Sequence, residues 1–144
     1  MKRIKTIWNE EELFNYLKNN HISDISKTNG VYNPADCISY INNWLIELKA
    51  RRRHFNLLLI EKIKYDELLI AADLNKMEPV YVCSTPAGVW QFFIKDIKIE
   101  WFKQDKLPVT TDFDNNDKTS KIVGFLHIWK GLQLERFELL EDWL

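Results

Sequence analysis

The stretch from Pro34 to Arg53 constrains this 144-residue chain most. An apolar run, Trp44-Leu45-Ile46, leads into Glu47-Leu48-Lys49, where Leu48 alternates with two charged residues. That alternation belongs to a half-buried strand, which turns Glu47 and Lys49 to one face and Leu48 to the other. Asn42-Asn43 lies just before it, and asparagine tolerates the left-handed backbone angles of a tight turn. The pattern predicts a hairpin with one strand from Asp36 to about Tyr40 and a second from Trp44 to Arg53. A short hairpin of this kind brings Asp36, Glu47 and Lys49 together.

Two carboxylates on one edge are hard oxygen donors suited to Mg²⁺ or Mn²⁺. A lysine beside them can hold a phosphate oxygen or position a water. Together they are the equipment for metal-assisted hydrolysis of a phosphodiester. The same residues also suit plainer roles, Asp36 as a strand-start aspartate and Glu47 and Lys49 as the solvated face of the strand. Sequence alone does not choose between a cleft and open water for that face.

Pro34, Asp36, Glu47 and Lys49, with Ala35 at the variable place, resemble the active-site signature of the PD-(D/E)XK nuclease superfamily. That group includes many restriction enzymes and Holliday-junction resolvases. Downstream, Leu107-Pro108-Val109-Thr110-Thr111 and Lys121-Ile122-Val123-Gly124-Phe125-Leu126 are similar to small phage-type members. The resemblance implies an α/β fold, a mixed central β-sheet flanked by helices with a restriction-endonuclease-like core. It further implies a nuclease hydrolysing DNA phosphodiester bonds. In that role Asp36, Glu47 and the Leu48 backbone carbonyl hold Mg²⁺ or Mn²⁺, and Lys49 stabilises the attacking water or the phosphate charge. A first-helix carboxylate often joins such sites. Glu11 and Glu12 are the candidates, and Glu12 is the one assigned as a ligand, although it equally suits a helix-capping role. Paired-strand cutting would call for a homodimer. The alternative is a catalytically inactive nucleic-acid-binding or protein-interaction module on the same fold.

Composition sets wider bounds. Hydrophobic residues at 46% and aromatics at 13% exclude a disordered chain, and the length suits a single domain over residues 1–144. No apolar run reaches membrane-span length, and the N-terminal residues lack the apolar stretch of a signal peptide, so a soluble, cytoplasmic protein is expected. A net charge of −1 neither favours nor opposes nucleic acid as partner, because an acidic metal site can offset a local basic surface. Arg51, Arg52, Arg53 and His54 follow the proposed site. Strand alternation puts Arg51 and Arg53 on the Lys49 face, where they would contact DNA phosphates or simply face solvent.

Along the chain, Asn9 caps a helix running to about residue 20 with Leu13, Phe14 and Leu17 inward, and residues 21–33 read as a loop. Residues 57–76 read as one long helix, with Ile60, Ile63, Ile70 and Leu74 at helical intervals and Leu68, Leu69 and Ala72 widening the buried stripe. Glu61 and Lys64 share one side of it. Strands are expected at 80–83 and 89–94 around a Pro86–Gly88 turn, an edge at 97–101, a polar loop at 107–120 and a strand at 122–127. The tail from Leu132 is ordered, as helix or strand. Cys37 and Cys83 fall in strands as small buried residues. The three histidines have no ligand spacing. Asp112-Phe113-Asp114-Asn115-Asn116-Asp117 lacks the glycine and closing glutamate of a calcium loop. Trp90 and Trp101 read as core and strand-face residues.

Overall fold

A computed structural model describes residues 6–30, 35–108 and 118–138. Pro34 of the signature, Val109 to Thr111, the Asp112 to Asp117 string and the Leu139 to Trp143 part of the tail lie outside these residues.

Helix α1 spans Glu10–Asn20. Four strands follow: β1 (Ser26–Lys27), β2 (Cys37–Ser39), β3 (Trp44–Ala50) and β4 (Leu57–Glu61). Helix α2 (Lys62–Leu74) then leads to β5 (Glu78–Thr85), β6 (Gly88–Phe92), β7 (Trp101–Pro108), β8 (Lys118–His127) and β9 (Leu132–Arg136). Among the described residues the strands form two sheets, one ordered β1-β2-β3-β5-β6-β9 and the other β4-β8-β7. β3 and β5 are parallel, and the remaining pairs are antiparallel. A mixed α/β sheet flanked by helices is therefore present.

β3 alternates as its sequence requires. Ile46 and Leu48 face α1, packing with Leu13, Leu17, Val80 and Val82. Leu45 faces the other way, into a cluster with Leu68 and Ala72 of α2 and with Tyr81 and Phe92. Glu47 and Lys49 share the Leu45 face. The preceding turn uses Asn43 at φ 59°, the left-handed angle that its asparagine tolerates.

Several expectations are corrected. Residues 57–76 are a strand and then a helix, because Leu57–Glu61 pair along their whole length with β8. A short apolar run reads alike as strand or helix, and the tertiary partner decides. In α2, Leu68 and Ala72 are the buried residues, whereas Ile63, Ile70 and Leu74 are 65%, 59% and 77% exposed. Residues 97–101 are not an edge strand up to Trp101, where β7 starts. Of the expected polar loop, the described residues 107–108 and 118–120 are strand, with Leu107 opposite Thr119 and Pro108 opposite Lys118. β1 lies within the stretch expected to be loop, and the tail begins as strand β9. Among the described residues four strands, not two, precede α2. Cys37 and Cys83 are buried free thiols. Among the described residues no helix is long and apolar enough to cross a membrane.

Candidate active site

The antiparallel register pairs Cys37 with Ile46. One step beyond, Asp36 and Glu47 face each other across the mouth of the hairpin, their side chains on the same side of the sheet. The Leu48 backbone N–H donates to Asp36 Oδ2 at 2.9 Å and fixes that carboxylate against β3. Lys49, two residues past Glu47, joins the same face. The hairpin thus brings Asp36, Glu47 and Lys49 together.

Their electrostatics are those of crowded carboxylates. Burial first, then the Asp36 charge, pushes Glu47 up to about 7, while Lys64 and Lys49 partly offset the shift. Asp36 is also raised by desolvation, against the opposing Leu48 N–H bond and the two lysines. Glu10, the first residue of α1, is raised by desolvation and by Asp36. Asp36 therefore penalises the charge of Glu10 and Glu47, Glu10 adds to the penalty on Glu47, and the two ammonium groups only partly compensate. A cleft of about 330 Å³ opens beside Asp36, lined by Glu10, Phe14, Lys27, Gly30 and Leu48 among others.

Glu10 and Lys64 are the members that sequence reading did not assign. Asn9 caps α1 by accepting from the Glu12 N–H at 2.8 Å, and its amide donates to Glu12 Oε1 at 3.2 Å. Glu12, expected as a ligand, is thereby engaged in the cap. Glu11 pairs with Lys27. Glu10 stands three and seven residues before Leu13 and Leu17, both fully buried, so it shares the stripe that faces the sheet. That spacing was the available signal. Lys64 is held by Glu61 Oε2 at 3.3 Å, and Glu61 Oε1 takes Lys121 at 2.6 Å. Burial would raise the Glu61 carboxyl, but the two lysines outweigh it and hold it below its ordinary value.

The arginines divide. Arg51 turns inward, donating from Nη2 to the Leu59 carbonyl at 2.5 Å, with its Nε buried and unpartnered. It does not present its guanidinium at the surface with Arg53, which is exposed. The backbone after β3 bends away at residues 51–53, so strict alternation ends there.

The donor set fits a hard divalent cation in chemistry: Asp36, Glu47 and Glu10 oxygens with the Leu48 carbonyl close by in sequence. Among the described residues no three His, Cys, Asp or Glu side chains converge into a closed cage. Mg²⁺ needs none, since it retains several waters and takes one or two protein carboxylates.

No protein-family model matches the chain, and no curated protein matches it. Among solved structures, the chain is similar to the Holliday junction resolvase Hjc of Archaeoglobus fulgidus. The match has a TM-score of 0.52 and 14% identity, over 83% of this chain and 86% of the resolvase. Hjc belongs to the restriction-endonuclease-like PD-(D/E)XK superfamily. With its central mixed sheet, its flanking helices and this structural likeness, the chain has the restriction-endonuclease-like fold.

Proposed function

We propose that this protein is a metal-dependent nuclease that hydrolyses DNA phosphodiester bonds. One observation carries the reading: Asp36, Glu47 and Lys49 share one sheet face, and burial beside Asp36 lifts Glu47 to about 7. Asp36 and Glu47 would hold Mg²⁺ or Mn²⁺ with the Leu48 carbonyl, and Glu10 is the first-helix carboxylate best located to assist. When bound, the cation would stabilise negative charge on the phosphate and favour hydroxide at neutral pH. Leu48 N–H keeps the Asp36 carboxylate oriented. Lys49 donates hydrogen bonds to a phosphate oxygen or to the attacking water. Lys64 adds a second positive charge along the same edge, favouring a polyanionic substrate.

The likeness to a Holliday junction resolvase makes branched DNA the first substrate to try, with a homodimer as the form that would cut paired strands. The alternative is a catalytically inactive nucleic-acid-binding or protein-interaction module on the same fold. Cleavage of plasmid, linear and four-way DNA with Mg²⁺, Mn²⁺ or EDTA, beside Lys49→Ala, separates the two. Metal-dependent products that disappear in the variant support the nuclease. A folded wild type that leaves every substrate intact supports the binding module.

A further inference from the structure

We propose that Lys64, in the first turn of α2, is a second phosphate-binding residue of the carboxylate face, reaching it from the helix as Lys49 does from the sheet. In the free protein its ammonium rests on Glu61, and it exchanges that carboxylate for a phosphate oxygen of the bound strand. That the strand is DNA rests on the nuclease reading.

Topology brings Lys64 there. β3 and β5 are parallel, with Trp44 opposite Glu78. α2 leads into β5, and the turn between them is tied to the start of β3. Asn43 Nδ2 donates to the Lys76 carbonyl at 2.7 Å, and the Glu78 N–H donates to the Asn43 carbonyl at 2.9 Å. The helix therefore runs back along the sheet, and its first turn lies toward the end of β3 that carries Glu47 and Lys49. Leu68 and Ala72 follow Lys64 by four and eight residues and are buried with Ala35 and Leu45. Lys64 thus continues the stripe that meets the Glu47 face of the sheet, one turn nearer the carboxylates.

Its charge is felt at those carboxylates. Lys64 offsets the raised carboxyls of Asp36 and Glu47 more strongly than Lys49 does, and it acts on Glu10 as well. Among the described residues its ion pair is nevertheless with Glu61, at 3.3 Å, and with none of those three. Lys64 stands near the carboxylates without closing on them, so a phosphate held there would meet Lys49 on one side and Lys64 on the other. The exchange costs little. Lys121 of β8 holds the other Glu61 oxygen at 2.6 Å, so Glu61 keeps an ion pair when Lys64 leaves. The Lys64 side chain is 48% exposed, and an exposed pair of this kind contributes less than a charge-assisted bond to phosphate. Lys62, two residues earlier, is engaged elsewhere: it pairs with Asp66 at 2.6 Å and lies over the Trp101 ring.

The test is fluorescence anisotropy of the full chain in EDTA, with a labelled duplex and a labelled four-way junction across a series of salt concentrations. Lys64→Met should weaken binding about fivefold to tenfold at about 0.1 M salt and lower the slope of log Kd against log salt by about one. Lys64→Arg should restore both. Lys62→Met removes the same charge from the same turn and should leave the slope at its wild-type value. Calorimetric titration reads the opposite sign: with a nearby cation gone, Lys64→Met should bind Mg²⁺ about twofold to tenfold more tightly. A wild-type slope in Lys64→Met, with circular dichroism unchanged, overturns the proposal. So does an equal loss in Lys62→Met, which would reduce Lys64 to general surface charge. Weaker Mg²⁺ binding by Lys64→Met also overturns it, by making Lys64 a support of the carboxylates. Cleavage with metal, measured separately on wild type and Lys49→Ala, judges the nuclease reading. DNA binding that depends on Lys64 without cleavage would remove that reading and leave this one standing, and a wild type that binds neither DNA removes both.

Discussion

The Leu48 N–H donates to Asp36 Oδ2 at 2.9 Å, so the carboxylate of one strand is held by the backbone of the strand bearing Glu47 and Lys49. Asp36→Asn separates its two contributions. The amide oxygen can still accept from Leu48, but the charge is gone. Cleavage should fall by about a hundredfold or more, with the thermal midpoint little changed. The Glu47 titration should move down toward its ordinary range, because the Asp36 charge is, after burial, the largest cause that raises it. Carbon-detected NMR of the glutamate carboxyls reads this directly. Asp36→Ala should additionally cost about 1 kcal/mol through the lost hydrogen bond.

Glu47 gives the metal-free protein a signed pH dependence. Its carboxyl titrates near 7 in the folded chain against 4.5 as the ordinary value. Between those values the folded chain keeps a proton that the unfolded chain has released, so stability falls as pH rises through the window and is level above it. The fall attributable to this group is on the order of 3 kcal/mol. Urea midpoints measured across the window should show it, and Glu47→Gln should flatten it. Because Mg²⁺ binds the ionised form, added Mg²⁺ should raise the melting temperature more at about pH 8 than at about pH 5.5.

Glu10 and Glu12 lie two residues apart and should fail differently. Glu12→Ala breaks the reciprocal cap with Asn9 and should cost about 0.5–1 kcal/mol of stability while cleavage persists. Glu10→Gln leaves the cap intact and removes a carboxylate that Asp36 already opposes. It should keep or slightly increase stability while weakening Mg²⁺ binding, read by calorimetric titration. Equal metal affinity in Glu10→Gln and wild type would remove Glu10 from the site.

The hairpin was legible because its information is local. Leu48 alternates with charged neighbours, and Asn43 adopts the left-handed turn that asparagine permits. The same local logic located the Asn9 cap. It failed where a distant partner decides. Leu57-Leu58-Leu59-Ile60 has no period that separates strand from helix, and β8 makes it a strand. Helix phase is not legible because Ile63, Ile70 and Leu74 are apolar yet face outward, while the sheet is met by Leu68 and Ala72. β7 and β8 carry enough Lys, Asp and Thr to resemble a loop, and only their mutual pairing reveals the hairpin. Glu10 is harder to read, because the capping pattern points to Glu12, although the stripe through Leu13 and Leu17 runs through Glu10.

Arg51 ties the two sheets together, and its replacement should therefore look unlike that of its neighbours. Its backbone N–H bonds the Ser84 carbonyl of β5 at 2.8 Å, while its guanidinium bonds the Leu59 carbonyl of β4 at 2.5 Å. The head group sits beside Tyr81 and Cys83, both within the core. Arg51→Ala leaves the Leu59 carbonyl without this donor and opens space between the sheets, so it should cost about 2–4 kcal/mol. Arg51→Lys should recover only part of that, since one ammonium cannot reproduce the planar fork. Arg53 is exposed, and Arg53→Ala should leave the urea midpoint unchanged. If Arg53 contacts a phosphate, its loss should lower the salt dependence of DNA binding by about one unit of slope. The two measurements run in parallel separate the sheet-linking arginine from the phosphate-binding one. Reduced salt dependence in a fully stable Arg51→Ala would reverse the assignment.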